Sequence, residues 1–171
     1  MNKGRLWITA VSAILGLQLV PGAAQASHQW GCYRWDHTAL QLRSFTPAGP
    51  YAAAWEHARN AWNAVPTPLS LSYAGPPSDT FLFAGAFGQT GWLGITYVLP
   101  SGCTIRKMLS ALNDSYLQSY PQDAKNSVAC HEMGHSLGLA HFNTPTASCM
   151  TNAGFPTTPD QHDVDQLNAM Y

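Results

Sequence analysis

The residues best suited to chemistry lie in one short stretch, HEMGHSLGLAH, which runs from His131 to His141. His131 and His135 are four positions apart, so a helix would place them on one face with about 5 to 6 Å between their Cβ atoms. Imidazole nitrogens at that separation can share one zinc ion. The stretch therefore predicts a zinc site, with Glu132 directly beside its first ligand.

A third imidazole is available from His141, but an unbroken helix could not bring it to the same ion. Over the six residues beyond His135, a continuous helix advances about 9 Å and turns through about 240°. Gly138 lies between the two histidines. Because glycine enters the left-handed conformation without a Cβ penalty, we predict that Gly138 ends the helix and turns the chain back toward the metal.

Three neutral imidazoles leave one zinc position open to water, which is typical of a catalytic site. Zinc lowers the pKa of that water and polarises a substrate carbonyl. Glu132 is then the predicted general base, which takes the proton of the water and returns it to the leaving amine. The sequence leaves two alternatives open, a zinc-binding module without turnover and a zinc amidase acting on cell-wall peptide; the presence of Glu132 favours catalysis.

Hydrophobic patterning predicts a mixed α/β fold around this stretch. Tyr51, Trp55 and Trp62 recur at helical spacing after Pro50, so a helix with core tryptophans is expected there. A strand, this helix and another strand in that order favour a twisted, mostly parallel sheet. The further predicted elements are strands at 39–45, 69–73, 80–86, 92–99 and 105–113, and a second long helix at 122–138.

A last helix is predicted near the end of the chain. Thr158 and Gln161 have the spacing of a capping box, with Pro159 at the first helical position. We therefore expect this helix to close the domain.

Residues 1–26 have the pattern of a secretory signal. Lys3 and Arg5 precede a largely apolar run, and Ala24-Gln25-Ala26 offers a cleavage site. The apolar run is shorter than the roughly 20 residues that a membrane anchor needs. We expect a signal peptide at 1–26, one folded domain at 27–171 and a secreted protein.

The charge of the chain limits its expected partners, and its cysteine content indicates disulfide bonds. Without Lys3 and Arg5, six of the eight basic residues remain against nine acidic ones, so neither nucleic acid nor a membrane is an expected partner. The four cysteines all follow residue 26, and none forms a C-x-x-C pair, so two disulfides are expected in an oxidising compartment.

The zinc stretch resembles the metzincin metallopeptidases and, within them, the matrixin-like branch, in a small secreted form of bacterial type. His131, Glu132, His135, Gly138 and His141 match the signature H-E-x-x-H-x-x-G-x-x-H. Met150, in ASCMTN, is similar to the methionine of the family's Met-turn beneath the metal. The resemblance implies a secreted zinc endopeptidase, acting as a monomer on a protein or peptide bound along the edge strand GWLGITYVL.

The resemblance also guides the pairing of cysteines, for which three arrangements are possible. Cys130 precedes the first ligand and Cys149 precedes Met150, and both elements must converge on one metal. We therefore predict the disulfides Cys130–Cys149 and Cys32–Cys103. Cys32 lacks the motif of the family's inhibitory cysteine switch.

Several departures from the family pattern limit which of the family's site residues can be assigned in this chain. Ile95 stands where matrixins usually have a histidine for a second, structural zinc, and no other cluster of His, Asp or Cys has ligand spacing. We expect one catalytic zinc, and calcium sites are not assigned. Thr151 replaces the tyrosine that often follows the methionine of the turn. The four remaining histidines are expected to be surface or core residues: His28, His37, His57 and His162.

Overall fold

The computed structural model describes residues 28–142 and 147–171. The predicted signal peptide, 1–26, lies outside these residues. Within them, the order of elements along the chain is one strand, one helix, four strands and three helices. The helices are α1 (Pro50–Asn63), α2 (Asp114–Leu117), α3 (Gln122–Ser136) and α4 (Gln161–Met170). The strands are β1 (Ala39–Ser44), β2 (Ser70–Tyr73), β3 (Thr80–Gly85), β4 (Gly94–Ser101) and β5 (Thr104–Asn113).

The strands form one sheet in the order β2-β1-β3-β5-β4. β1 is parallel to β2 and β3, and β3 is parallel to β5. β4 is antiparallel to β5 and lies at the edge of the sheet. The predicted fold class, a mostly parallel mixed α/β sheet with two long helices and a C-terminal helix, is therefore confirmed.

Helix α1 connects the sheet to α3 through its two tryptophans. Trp55 and Trp62 are 0% and 2% exposed, as expected for core residues. The indole N–H of Trp55 donates to the carbonyl of Phe83 in β3 over 3.1 Å. The indole of Trp62 donates to the carbonyl of Cys130 in α3 over 2.9 Å. Burial of both rings thus fixes α3 over the sheet without leaving a polar atom unpaired.

Several predicted bounds differ from the structure by one or two residues, and two elements differ for a reason that the structure shows. The edge strand begins at Gly94 and extends to Ser101, because Gly102, with φ of 60°, makes the turn that returns the chain into β5. Helix α4 is capped by Asp160 and not by Thr158. The Asp160 carboxylate accepts from the backbone N–H of His162 over 2.9 Å, and Asp163 completes the capping box. Thr158 remains outside the helix because its carbonyl accepts from Cys149.

Both expected disulfides are present, Cys32–Cys103 and Cys130–Cys149. The first joins the segment before β1 to the turn between β4 and β5. The second joins α3 to the turn that contains Met150. Among the described residues, no helix has the length and apolar character needed to cross a membrane.

Candidate metal centre

Helix α3 places His131 and His135 side by side, with their Nε2 atoms 3.1 Å apart. The Nδ1 atom of His131 lies 2.7 Å from the carbonyl oxygen of Cys149, and that of His135 lies 2.8 Å from the carbonyl oxygen of Leu139. A carbonyl can only accept, so each ring carries its proton on Nδ1. Each neutral ring therefore directs an unprotonated Nε2 toward the other.

The end of α3 brings the chain back beside these rings. Gly138 has φ of 91°, and its N–H donates to the carbonyl of His135. The N–H of Leu139 donates to the carbonyl of Gly134, which completes a Schellman motif. An added Cβ at Gly138 would lie 2.8 Å from the Tyr33 carbonyl oxygen, so this position excludes any side chain.

After this turn, His141 faces the two helical histidines. Its ring centroid lies 4.9 Å from that of His131 and 4.8 Å from that of His135, while those two centroids are 4.7 Å apart. The three rings thus form a nearly equilateral triangle. One ligand nitrogen from each lies within 4.8 Å of the others.

The donor set fits zinc. Ligands about 2.0 to 2.1 Å from a tetrahedral zinc ion are roughly 3.4 Å apart, close to the observed Nε2 separation. Burial lowers the pKa of His131 to about 4 and that of His135 to about 3, and it lowers that of His141. All three imidazoles are therefore neutral near pH 7, which is the form that binds a metal.

Glu132 lies beside this triangle and is 5% exposed. Its Oε2 accepts from the hydroxyl of Thr96 in β4 over 2.8 Å. An added Cβ at Gly94 would lie 2.6 Å from its Oε1, so the absence of a side chain in β4 makes room for this atom. Burial raises the pKa of Glu132 to about 8, and the Thr96 hydrogen bond lowers it in part.

Met150 lies beneath the histidines and is fully buried. An added Cβ at Gly134 would lie 2.2 Å from its Sδ, which shows that the thioether packs directly on the helix between His131 and His135. The N–H of Phe142 donates to the Met150 carbonyl, so the turn also holds the chain that follows His141.

Two adjacent cavities open beside the triangle, with volumes of about 350 Å³ and 520 Å³. Gly94, Glu132 and His141 line both of them. Ile95 and Trp30 line the smaller cavity, whereas Thr151 and Phe155 line the larger one. A ligand crossing from one cavity to the other would pass Glu132.

Sequence reasoning missed a second group of possible ligands. His28, His162 and Asp163 each have one ligand atom within 4.8 Å of the others. No other His, Asp or Cys cluster has ligand spacing in the sequence, but the fold joins these three residues from opposite ends of the described chain. The sequence contains only one local signal of this group, the adjacent pair His162-Asp163. Of the remaining histidines, His37 is paired with Asp36 and His57 bonds to the Thr157 carbonyl.

Together, the fold and these residues describe a mixed α/β protein with a candidate three-histidine metal centre and a buried glutamate beside it. No family model matches the chain. Over 48 residues, 26% of its length, the chain is 46% identical to neutrophil collagenase of Homo sapiens. That match spans only 10% of the length of the collagenase.

Proposed function

We propose that this protein is a secreted zinc-dependent endopeptidase. The observation that carries the proposal is the convergence of His131, His135 and His141 beside the buried carboxyl group of Glu132. The partial similarity to a collagenase supports the same reaction class. Zinc alone could serve a binding module, but a binding module does not need an acid–base group at this place.

His131 and His135 would hold the zinc ion through their Nε2 atoms, and one ring nitrogen of His141 would be the third ligand. Zinc in such a site supplies a Lewis acid for a carbonyl group and makes water more acidic. The carbonyls of Cys149 and Leu139 fix the tautomers of His131 and His135, so their rings need no rearrangement before they bind a cation.

Glu132 moves the proton in this proposal. Thr96 occupies Oε2, so Oε1 is the atom that accepts the proton from water and later returns it to the departing amine. Because burial raises the pKa of Glu132, its carboxylate is a stronger base for the proton that it takes from water. Thr96 is a positioning residue, since its hydroxyl oxygen lies 3.0 Å from the backbone carbonyl oxygen of Glu132 and 2.8 Å from Oε2, so the two acceptors share its one proton and the carboxylate is fixed relative to α3.

The substrate would be a peptide that lies along β4. This strand pairs with β5 on one side and is the edge of the sheet on the other. An extended peptide can add to such an edge through main-chain hydrogen bonds. Its scissile bond would then lie where the two cavities meet, next to Glu132 and His141.

Export is the second part of the proposal. The signal pattern at 1–26 supports it, as do the two disulfides, because such bonds persist mainly in oxidising compartments. Pulse labelling with a cleavage-site variant would test it: we expect the wild-type chain to lose 26 residues on its way to the medium.

The decisive experiment compares Glu132→Gln with His141→Ala on a mixed peptide library. Glu132→Gln keeps three imidazoles and the shape of the side chain, so zinc content should stay unchanged. Its cleavage rate should fall about 10²- to 10⁴-fold, the usual contribution of a general base. His141→Ala should lose zinc affinity itself, because one ligand is removed.

The surface residue His37 provides the matched control, since His37→Ala removes a histidine remote from the centre and should retain full activity. Cleavage by the wild-type chain should stop with a chelator and return with added zinc. Near-normal cleavage by zinc-loaded Glu132→Gln would contradict the mechanism. Zinc binding without cleavage of any peptide would support the binding module instead.

A further inference from the structure

The beginning of the described chain lies against the start of α4. His28 pairs with Ala140 through the backbone, and Gln29 forms a bridge with Leu139. The backbone N–H of His28 also donates to the side chain of Gln166 in α4 over 3.0 Å. These bonds place the His28 ring between the loop that follows α3 and the first turn of α4.

The His28 side chain is buried with one ring nitrogen unpaired. The residue is 4% exposed, and its Nδ1 lies 3.3 Å from the Ala140 carbonyl oxygen. Because a carbonyl can only accept, Nδ1 carries the proton and Nε2 has a free lone pair. This Nε2 has no hydrogen-bond partner and lies 3.6 Å from Oδ1 of Asp163.

Asp163 presents a carboxylate oxygen to the same point. The residue is 0% exposed, and its Oδ2 accepts from the Ser148 hydroxyl and from the backbone N–H of Asp160. Its Oδ1 has no hydrogen-bond partner. The two donors thus orient the carboxylate and leave one oxygen directed at His28.

His162 supplies the third unpaired atom. Its ring stacks on Phe142 with centroids 3.8 Å apart, and it lies 4.5 Å from the ring of His28. Its Nδ1 is buried and has no partner. Of the five buried side-chain atoms without a partner in the described part of the chain, three therefore belong to His28, His162 and Asp163, and each of these residues has one ligand atom within 4.8 Å of the others.

A single added proton would not give all three unpaired atoms a partner. One proton placed between His28 and Asp163 would leave Nδ1 of His162 unpaired, and 3.6 Å is too long for a hydrogen bond. A cation that contacts all three atoms would satisfy them together.

We propose that His28, His162 and Asp163 bind a divalent transition-metal ion, most readily zinc, in a structural site separate from the centre formed by His131, His135 and His141. Two imidazoles and one carboxylate are a donor set that zinc accepts. The candidate atoms lie within 4.8 Å of each other, so ligand distances of about 2 Å require only small movements. This replaces the expectation of one zinc per chain.

The ion would tie three parts of the chain together. His28 brings the beginning of the described chain, His162 and Asp163 bring α4, and the hydrogen bond of His28 to Ala140 reaches the residue before His141. Loss of the ion should therefore loosen the loop that carries His141 without removing any ligand of the first centre.

Zinc stoichiometry tests the proposal on the purified full chain. The wild-type chain should retain two zinc ions after gel filtration in metal-free buffer. His162→Phe keeps an aromatic ring on Phe142 but removes a ligand, so it should retain one. A chain with His131→Ala and His135→Ala should also retain one, and addition of His162→Phe to that chain should leave none.

Three further measurements make the result unambiguous. His37→Ala should keep two zinc ions. In the chain with His131→Ala and His135→Ala, added zinc should raise the midpoint of thermal unfolding, and His162→Phe should abolish that rise. Absence of zinc from this chain, or two ions in His162→Phe, would overturn the second site. Failure of the proposed peptidase activity would instead appear as absent cleavage with the stoichiometry unchanged.

Discussion

At the scale of single residues, Gly134 is a position at which the fold leaves no room for a side chain. It lies between His131 and His135 on α3, over the thioether of Met150 and the ring of Trp62. An added Cβ would be 2.2 Å from Sδ of Met150 and 2.7 Å from the Trp62 ring. Met150 can thus pack against the helix because Gly134, which faces it, has no side chain.

Gly134→Ala should lower the free energy of unfolding by about 2 kcal/mol. Contacts of 2.2 Å and 2.7 Å put the overpacking cost at about 3 kcal/mol, the upper end of the usual range, and the helix propensity of alanine offsets roughly 1 kcal/mol of it. Chemical denaturation measures the effect. Gly75→Ala is the matched control, because an added Cβ there meets nothing within 4 Å. Equal stability of the two variants would contradict the packing described for Met150.

Sequence alone predicts the residues of the first centre that depend on one helical period and one glycine. His131, Glu132 and His135 follow from their spacing, and Gly138 follows from the need to end α3. Thr96 could not be predicted as a partner of Glu132, because β4 and α3 meet only in the folded chain. For the same reason, the sequence does not predict that His28 lies beside His162 and Asp163 of α4.

At the scale of elements, the Cys130–Cys149 bridge joins α3 to the Met150 turn directly beside the candidate metal ligand His131. The carbonyl of Cys149 accepts from Nδ1 of His131 over 2.7 Å, so this disulfide also fixes the tautomer of the first histidine. The Cys32–Cys103 bridge joins the segment before β1 to the β4–β5 turn, and neither of them contains His131, His135 or His141.

Removal of either bridge should therefore lower stability, but only one of the two removals should also lower zinc affinity. Cys130→Ala with Cys149→Ala opens a loop of 19 residues and should cost about 3 kcal/mol. Cys32→Ala with Cys103→Ala opens a loop of 71 residues and should cost about 4 kcal/mol. Only the first pair should weaken zinc binding at the centre formed by His131, His135 and His141, by about 10-fold or more. Zinc titrations of both variants against a competing chelator provide the measurement.

The elements show where sequence patterns are ambiguous. Pro50 fixes the start of α1, since proline suits the first helical position. At α4, Thr158 and Asp160 are both suitable caps, and the choice of Asp160 depends on a tertiary bond from Cys149 to Thr158. The short helix α2 was not predicted; the Asn113 side chain that caps it also receives the N–H of Phe87.

At the scale of the whole molecule, the two ends of the described chain meet at the end of α3. The Tyr171 hydroxyl donates to the carbonyl of Leu137 over 2.9 Å and accepts from the backbone N–H of Trp35 over 3.1 Å. The indole of Trp35 in turn donates to the carbonyl of Ser136. Burial raises the pKa of Tyr171 to about 12, so this hydroxyl stays protonated in all ordinary buffers.

Tyr171→Phe should lower the free energy of unfolding by about 1 to 3 kcal/mol, because the Trp35 N–H and the Leu137 carbonyl lose their shared partner. Tyr97→Phe removes a hydroxyl from a residue that is 58% exposed and should be neutral. Thermal unfolding of both variants compares them directly. A neutral Tyr171→Phe would show that water replaces the hydroxyl.

The burial of Met150 also limits how readily an oxidant can reach its sulfur atom. The described methionines, Met108, Met133, Met150 and Met170, are at most 5% exposed, and all four cysteines are in disulfides. Peroxide reacts with accessible thioethers and thiolates, and conversion of Met150 to its sulfoxide would insert a polar oxygen against Gly134. Because the fold shields that sulfur, the support beneath the histidines should persist in the oxidising surroundings where its disulfides form.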